Sequence, residues 1–88
     1  MIERTVKVMN SLGLHARPAA QLVRLASTFQ AQIELVKDEM VVNAKSIMGV
    51  MMLAAECGST IQIRASGDDA EQALAALEKL VTDGFGET

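Results

Sequence analysis

The feature that most restricts the fold is the change of apolar period along the chain. Ile2, Val6 and Val8 alternate with Glu3, Thr5 and Lys7, as in a strand with one buried face, and only Arg4 breaks the pattern. Ile33 and Leu35 flank Glu34 in a second such stretch. Lys37-Asp38-Glu39 is a polar turn before a third, Met40–Asn43, which predicts a hairpin. Ile61, Ile63 and Ala65 alternate with Gln62 and Arg64 in a fourth, followed by the turn Ser66-Gly67-Asp68. Between these strands the period lengthens. Apolar residues at 19, 22, 23 and 26, with Leu25 and Phe29 beside them, predict a helix over 16–28 after a loop that ends at Gly13. Pro18 fits only in its first turn, where its missing N–H has no partner to lose. Ser46 precedes a short apolar helix over 47–54, and Gly58 closes that region. Apolar positions 70, 73, 74, 77, 80 and 81 predict a last helix. Asp69 stands three residues before Gln72 as a capping-box start, and Gly84 lies where a left-handed C-cap belongs.

The order is therefore β-α-β-β-α-β-α. Each strand has one apolar face and each helix one apolar stripe. A two-layer α+β fold buries them all: a four-stranded, mainly antiparallel sheet with three helices on one face. No repeat or linker interrupts the chain, so a single domain over 1–88 is expected. A chain of this size buries only about 60–65% of its unfolded surface, which leaves no room for a deep, enclosed active site. Tyr and Trp are absent and only Phe29 and Phe85 are aromatic. The core is expected to consist of Leu, Ile, Val, Met and Ala.

The same composition narrows function. Without aromatic platforms the chain lacks the usual means of stacking on single-stranded nucleic acid. Its net charge of −3 argues against a general polyanion binder, so no nucleic-acid partner is expected. A single His and a single Cys, far apart, have no metal-ligand spacing. One cysteine forms no internal disulfide, which fits a reducing compartment. The first residues are not a basic leader with an apolar stretch behind it. The longest apolar run, 47–55, contains Gly49 and falls far short of the roughly 20 residues that cross a bilayer. A cytoplasmic monomer without membrane insertion is the expectation.

His15 is the candidate reactive group. It stands between Gly13 and Pro18 at the start of the first helix. A helix N-terminus carries unpaired N–H groups and about half a positive charge, which suits phosphate oxygens. Imidazole is largely neutral near pH 7, so a ring nitrogen can act as a nucleophile. Arg17 offers a fork of donors to the same oxygens. Taken alone, this spacing fits a helix-flanking polar residue and a solvated surface charge better than a nucleophile.

Two longer motifs shift that balance: Gly13-Leu14-His15-Ala16-Arg17-Pro18-Ala19 and Asn43-Ala44-Lys45-Ser46-Ile47-Met48-Gly49-Val50-Met51. Over essentially its whole length the chain resembles the HPr phosphocarriers of the bacterial phosphoenolpyruvate-dependent phosphotransferase system, in their proteobacterial HPr/NPr-like branch. The resemblance implies an open-faced β-sandwich with no cofactor. It implies that Nδ1 of His15 takes a phosphoryl group from enzyme I and passes it to enzyme IIA-type domains. Arg17 and the backbone N–H groups of Ala16 and Arg17 would receive the phosphate. Ser46, a helix N-cap on its own reading, matches the serine that an HPr kinase/phosphorylase modifies in many bacteria. Ile47, Met48 and Met51, with Ala20 and Arg24 of the first helix, match the family's partner-docking patch. Val50 and Leu53 are expected to point inward. Arg17, Arg24 and Lys45 are expected to form a basic rim complementary to acidic partners.

Leu12 stands where many HPr proteins have a small polar residue, and Met52 where Ser or Thr is common. These departures bear on the circuit rather than on phosphoryl carriage, and they leave sugar transport and a nitrogen-regulatory, NPr-type relay both open. A reading from another class is a non-catalytic α/β interaction module in which His15 merely faces solvent.

Overall fold

The structure, a computed structural model, describes residues 1–87. Its strands are β1 (Ile2–Lys7), β2 (Gln32–Lys37), β3 (Met40–Asn43) and β4 (Thr60–Ser66). Its α-helices are α1 (Ala16–Ala26), α2 (Ile47–Met52) and α3 (Ala70–Thr82), and a single 3-10 turn follows at Gly84–Gly86. The strands form one sheet in the order β1-β4-β2-β3, and every pairing is antiparallel.

Register follows from the alternation. Val6 pairs with Ile61, Leu35 with Ile63 and Ile33 with Ala65, which puts the apolar members of three strands on one face. The opposite face carries polar rows such as Glu3, Arg64 and Glu34, where Arg64 Nε donates to Glu3 Oε2 at 3.2 Å. Arg4 lies opposite Ile63, on the apolar face. At this sheet edge its guanidinium reaches out of the core to Glu78 of α3, at 2.6 Å. The break in the alternation is thus a rim position with a partner.

The buried stripes of α1 (Pro18, Ala19, Leu22, Ala26) and α3 (Ala70, Ala73, Leu74, Leu77, Val81) meet the inner sheet face. α3 lies against β1 and β4, and α1 lies between α3 and α2. The core is built from Leu, Ile, Val and Ala, with Phe85 at its edge. Methionine contributes nothing to it, contrary to expectation: all six methionines are exposed, between 44% and 79%. The core positions are already filled by branched or small side chains. The flexible thioethers are left for the surface.

Three readings at helix ends need correction, whereas Gly84 does stand left-handed just past α3 as expected. α1 stops at Ala26, where the Thr28 hydroxyl donates to the Leu25 carbonyl and ends the helical run. α2 stops at Met52 because Ala54 turns left-handed, at φ 53°. Asp69 does precede α3, but its side chain makes no cap. Its two oxygens instead accept from the backbone N–H groups of Gln30 and Ala31, each at 2.8 Å. The carboxylate thus holds the α1–β2 turn against the start of α3. At the other end of α3, Gly84, Phe85 and Gly86 all adopt left-handed backbone, at φ 65°, 58° and 75°. For Phe85 this costs roughly 1–2 kcal/mol, offset by burial of its ring, worth roughly 1.5–3 kcal/mol. The consequence is a chain that folds back over the end of the molecule instead of running on from α3.

The hydrogen bond from the Gln30 amide above all holds the Asp69 carboxyl below its ordinary 3.8. A depressed carboxylate stabilises the fold above its unfolded value and loses that contribution as pH falls through the folded value. Asp69→Asn should therefore lower Tm at pH 7. It should also flatten the decline of Tm at pH values below 3.8, measured by thermal unfolding across an acid series.

Candidate functional site

The residues ahead of α1 are set by one tight reversal. Gly13 sits at φ 68°, and a Cβ there would lie 2.3 Å from the Ala55 carbonyl oxygen. Only glycine fits. Leu14 then donates its N–H to that same carbonyl at 2.8 Å and buries its side chain. The next residue, His15, becomes the N-cap of α1 with extended backbone, and its carbonyl accepts from the Ala19 N–H at 2.9 Å.

The His15 side chain does not cap the helix. It is 36% exposed, and its Nε2 lies 2.9 Å from Oε1 of Glu87. The hydrogen bond from the imidazole ring, followed by one from Asn10, holds the Glu87 carboxyl below its ordinary 4.5. An ionised carboxylate only accepts, so this contact calls for a proton on Nε2, and in a neutral ring Nδ1 then holds the lone pair. Ala16 and Arg17 are exposed at the first turn of α1, where backbone N–H groups have no intrahelical acceptor. Among the described residues Arg17 has no ion-pair partner. The His15 ring thus stands beside the exposed first turn of α1, and the Arg17 charge is near enough to Glu87 to help hold its carboxyl low.

Asn10 and Glu87 belong to this corner and escaped the reading of the sequence. Asn10 is 1% exposed. Its Nδ2 donates to the Gly13 carbonyl at 2.6 Å and to Glu87 Oε1 at 2.9 Å, while its Oδ1 is buried without a partner among the described residues. Both neighbours of Nδ2 are acceptors, which fixes the orientation of the amide. The one signal for Asn10 was a polar residue two positions after Val8, in phase with the buried face of the alternating run. Nothing local pointed to Glu87, which is brought in by the left-handed turn at residues 84–86.

Ser46 is the N-cap of α2, and its Oγ accepts from the Gly49 N–H at 3.1 Å. Val50 and Leu53 are buried, whereas Ile47, Met48 and Met51 are exposed at 48%, 75% and 44%. Ala20 is half-buried and Arg24 exposed on α1, which packs beside α2. Arg17 and Arg24, seven residues apart, share one face of α1 about 10 Å apart. The Lys45 ammonium donates to the Phe29 carbonyl at 2.8 Å and braces the start of α2 against the turn after α1. Leu12 is 73% exposed and offers no polar group to the His15 corner. Among the described residues no group of three or more His, Cys, Asp or Glu side chains could hold a metal ion, and no helix is long and apolar enough to cross a membrane.

Comparison with known proteins agrees with the fold. The family described as "PTS HPr component phosphorylation site" matches residues 2–83. The chain is similar to the phosphocarrier protein HPr of Treponema pallidum, 51% identical over 99% of both chains. It is also similar to the phosphocarrier protein NPr of Shewanella violacea, 44% identical over 98% of this chain and 94% of that one. The crystal structure of an HPr from Thermoanaerobacter tengcongensis superposes with a TM-score of 0.96 at 49% identity, covering 100% of this chain and 99% of that one.

Gly13→Ala should lower stability by about 2–4 kcal/mol, the sum of left-handed strain and a backbone clash. It should also shift the amide and ring resonances of His15 in NMR spectra. A variant of unchanged stability and unchanged His15 resonances would show that the reversal does not set the site.

Proposed function

Because this chain belongs to the PTS HPr component phosphorylation-site family, we propose that it carries a phosphoryl group on Nδ1 of His15, from enzyme I to enzyme IIA-type domains. Family membership supports a phosphocarrier role within the phosphotransferase system, and such a protein is a relay component and not a catalyst in the usual sense. The observation that carries the reading to His15 is the state of its ring, partly exposed and held through Nε2. Phosphoryl transfer demands in-line positioning and charge stabilisation more than elaborate machinery. The amides of Ala16 and Arg17 lie where the α1 dipole favours anionic oxygens. The Arg17 guanidinium adds a charged fork within reach of the same corner.

The docking reading rests on exposure. Ile47, Met48 and Met51 form an apolar patch of adaptable side chains, and Ala20 and Arg24 extend it across α1. Lys45 adds charge to this face while its ammonium is bonded to Phe29. The Ser46 hydroxyl borders the patch, so a phosphate placed there by an HPr kinase/phosphorylase would be tolerated by the helix start. It would also add about −1.5 to −2 charges to the docking face. A second reading keeps the chemistry and changes the circuit to a nitrogen-regulatory relay. The exposed, apolar Leu12 favours it, as does similarity to an NPr.

Incubation with phosphoenolpyruvate and purified enzyme I tests the carrier reading. The expected result is a mass gain of one phosphate that is acid-labile and absent in His15→Ala. An unmodified wild-type protein with a competent enzyme I would overturn it. In the same assay, stoichiometric phosphorylation of Ser46 and the substitution Met48→Asp should each slow transfer from enzyme I while leaving the fold intact. Unchanged rates would remove Ser46 from regulation and Met48 from the interface.

A further inference from the structure

The corner around His15 holds more than a nucleophile and a place for phosphate. Nε2 of the ring meets Glu87 Oε1 at 2.9 Å, and the same oxygen accepts from Asn10 Nδ2, also at 2.9 Å. Asn10 is itself fixed, buried at 1% and bonded to the Gly13 carbonyl at 2.6 Å. Glu87 follows a turn of three left-handed residues whose middle member, Phe85, is buried. The carboxylate is therefore gripped from two sides, by a core-anchored backbone and by a core-anchored amide. A solvated surface ion pair requires neither.

We propose that Glu87 is a positioning residue for phosphoryl transfer: it holds the His15 imidazole in the tautomer protonated at Nε2 and neutralises the charge the ring acquires when Nδ1 is phosphorylated. Asn10 aims the carboxylate. The inference rests on the carrier reading above and specifies how this chain prepares the ring.

The step balances simply. The Nδ1 lone pair attacks the phosphorus of a phosphorylated donor protein, and the bond between phosphorus and the donor atom breaks with its electron pair returning to the donor. The Nε2 proton stays in place, shared with the Glu87 carboxylate, while the ring becomes formally cationic. A negative charge 2.9 Å from Nε2 opposes that cation on the side away from the incoming phosphate. On delivery, the acceptor's nucleophile attacks phosphorus and the P–Nδ1 pair returns to the ring. No proton has to leave or enter, so the ring is ready for the next cycle.

The contact also fixes regiochemistry. With Nε2 protonated and covered by a carboxylate, Nδ1 is the ring nitrogen left to react. A freely turning imidazole would lack this bias. Sequence spacing could not reveal it, because Asn10, His15 and Glu87 are joined only by the fold.

Two measurements on Glu87→Ala and Glu87→Gln test the proposal. The first needs no partner protein. Nitrogen-labelled wild-type protein should show one discrete ring Nε2–H resonance and well-separated ring nitrogen shifts. Glu87→Ala should lose the proton resonance to solvent exchange and draw the two nitrogen shifts together. Glu87→Gln, which keeps an acceptor oxygen, should retain the resonance. The second is transfer from phosphorylated enzyme I. Glu87→Ala should reduce kcat roughly tenfold to a hundredfold with KM nearly unchanged, the size expected for one charged hydrogen bond. Glu87→Gln should recover part of the loss. A wild-type ring protonated at Nδ1 would overturn the proposal, as would ring shifts and kcat that are the same in Glu87→Ala. A wild-type protein that shows the Nε2–H signature yet takes no phosphate would instead count against the carrier reading alone.

Discussion

The arrangement at His15 depends on one backbone contact, the reversal at Gly13 pressed against the Ala55 carbonyl. It turns the chain out of the sheet and buries Leu14, leaving the following residue as N-cap of α1. Any side chain at position 13 would move the turn, and with it the angle between the imidazole and the first-turn amides. The reversal is supported twice over, by the Leu14 amide on Ala55 and by the Asn10 side chain on the Gly13 carbonyl. With the His15 side chain 36% exposed, these local contacts set where it stands.

The rest of the molecule is a platform for that corner. Its core is almost entirely aliphatic, and the sheet leaves one face open to solvent. Excluding methionine from the interior gives a well-specified core. It also releases adaptable side chains to the surface of α2, next to α1. Ser46 and Lys45 have local duties there, capping α2 and tying it to the Phe29 carbonyl. Chemistry at Ser46 would therefore act on a segment already fixed relative to α1.

Much of this was legible from residue order. The four alternating stretches and three helical stripes specified the layers, because side-chain period translates directly into a buried face. Glycine, proline and cap residues placed His15, Arg17 and Ser46 at helix starts, but only the resemblance of the two longer motifs singled them out as candidates. The exposed Met48 and Met51 were legible because the short helix expected over 47–54 could not bury all its apolar residues on one side. Asp69 was misread as a cap, since a short polar side chain at a helix start has the same local signature whether it bonds its own helix or a distant turn. Glu87 and Asn10 were invisible as site residues. Their meeting with His15 spans most of the chain and depends on the left-handed backbone of Phe85, which no period or motif encodes.

The most direct test of the account is the identity of the phosphorylated atom. Phosphorus and nitrogen NMR of the protein, phosphorylated with phosphoenolpyruvate and enzyme I, should show a single phosphorus signal coupled to Nδ1 of His15. A phosphorus signal coupled to Nε2, or one belonging to a residue other than His15, would contradict it.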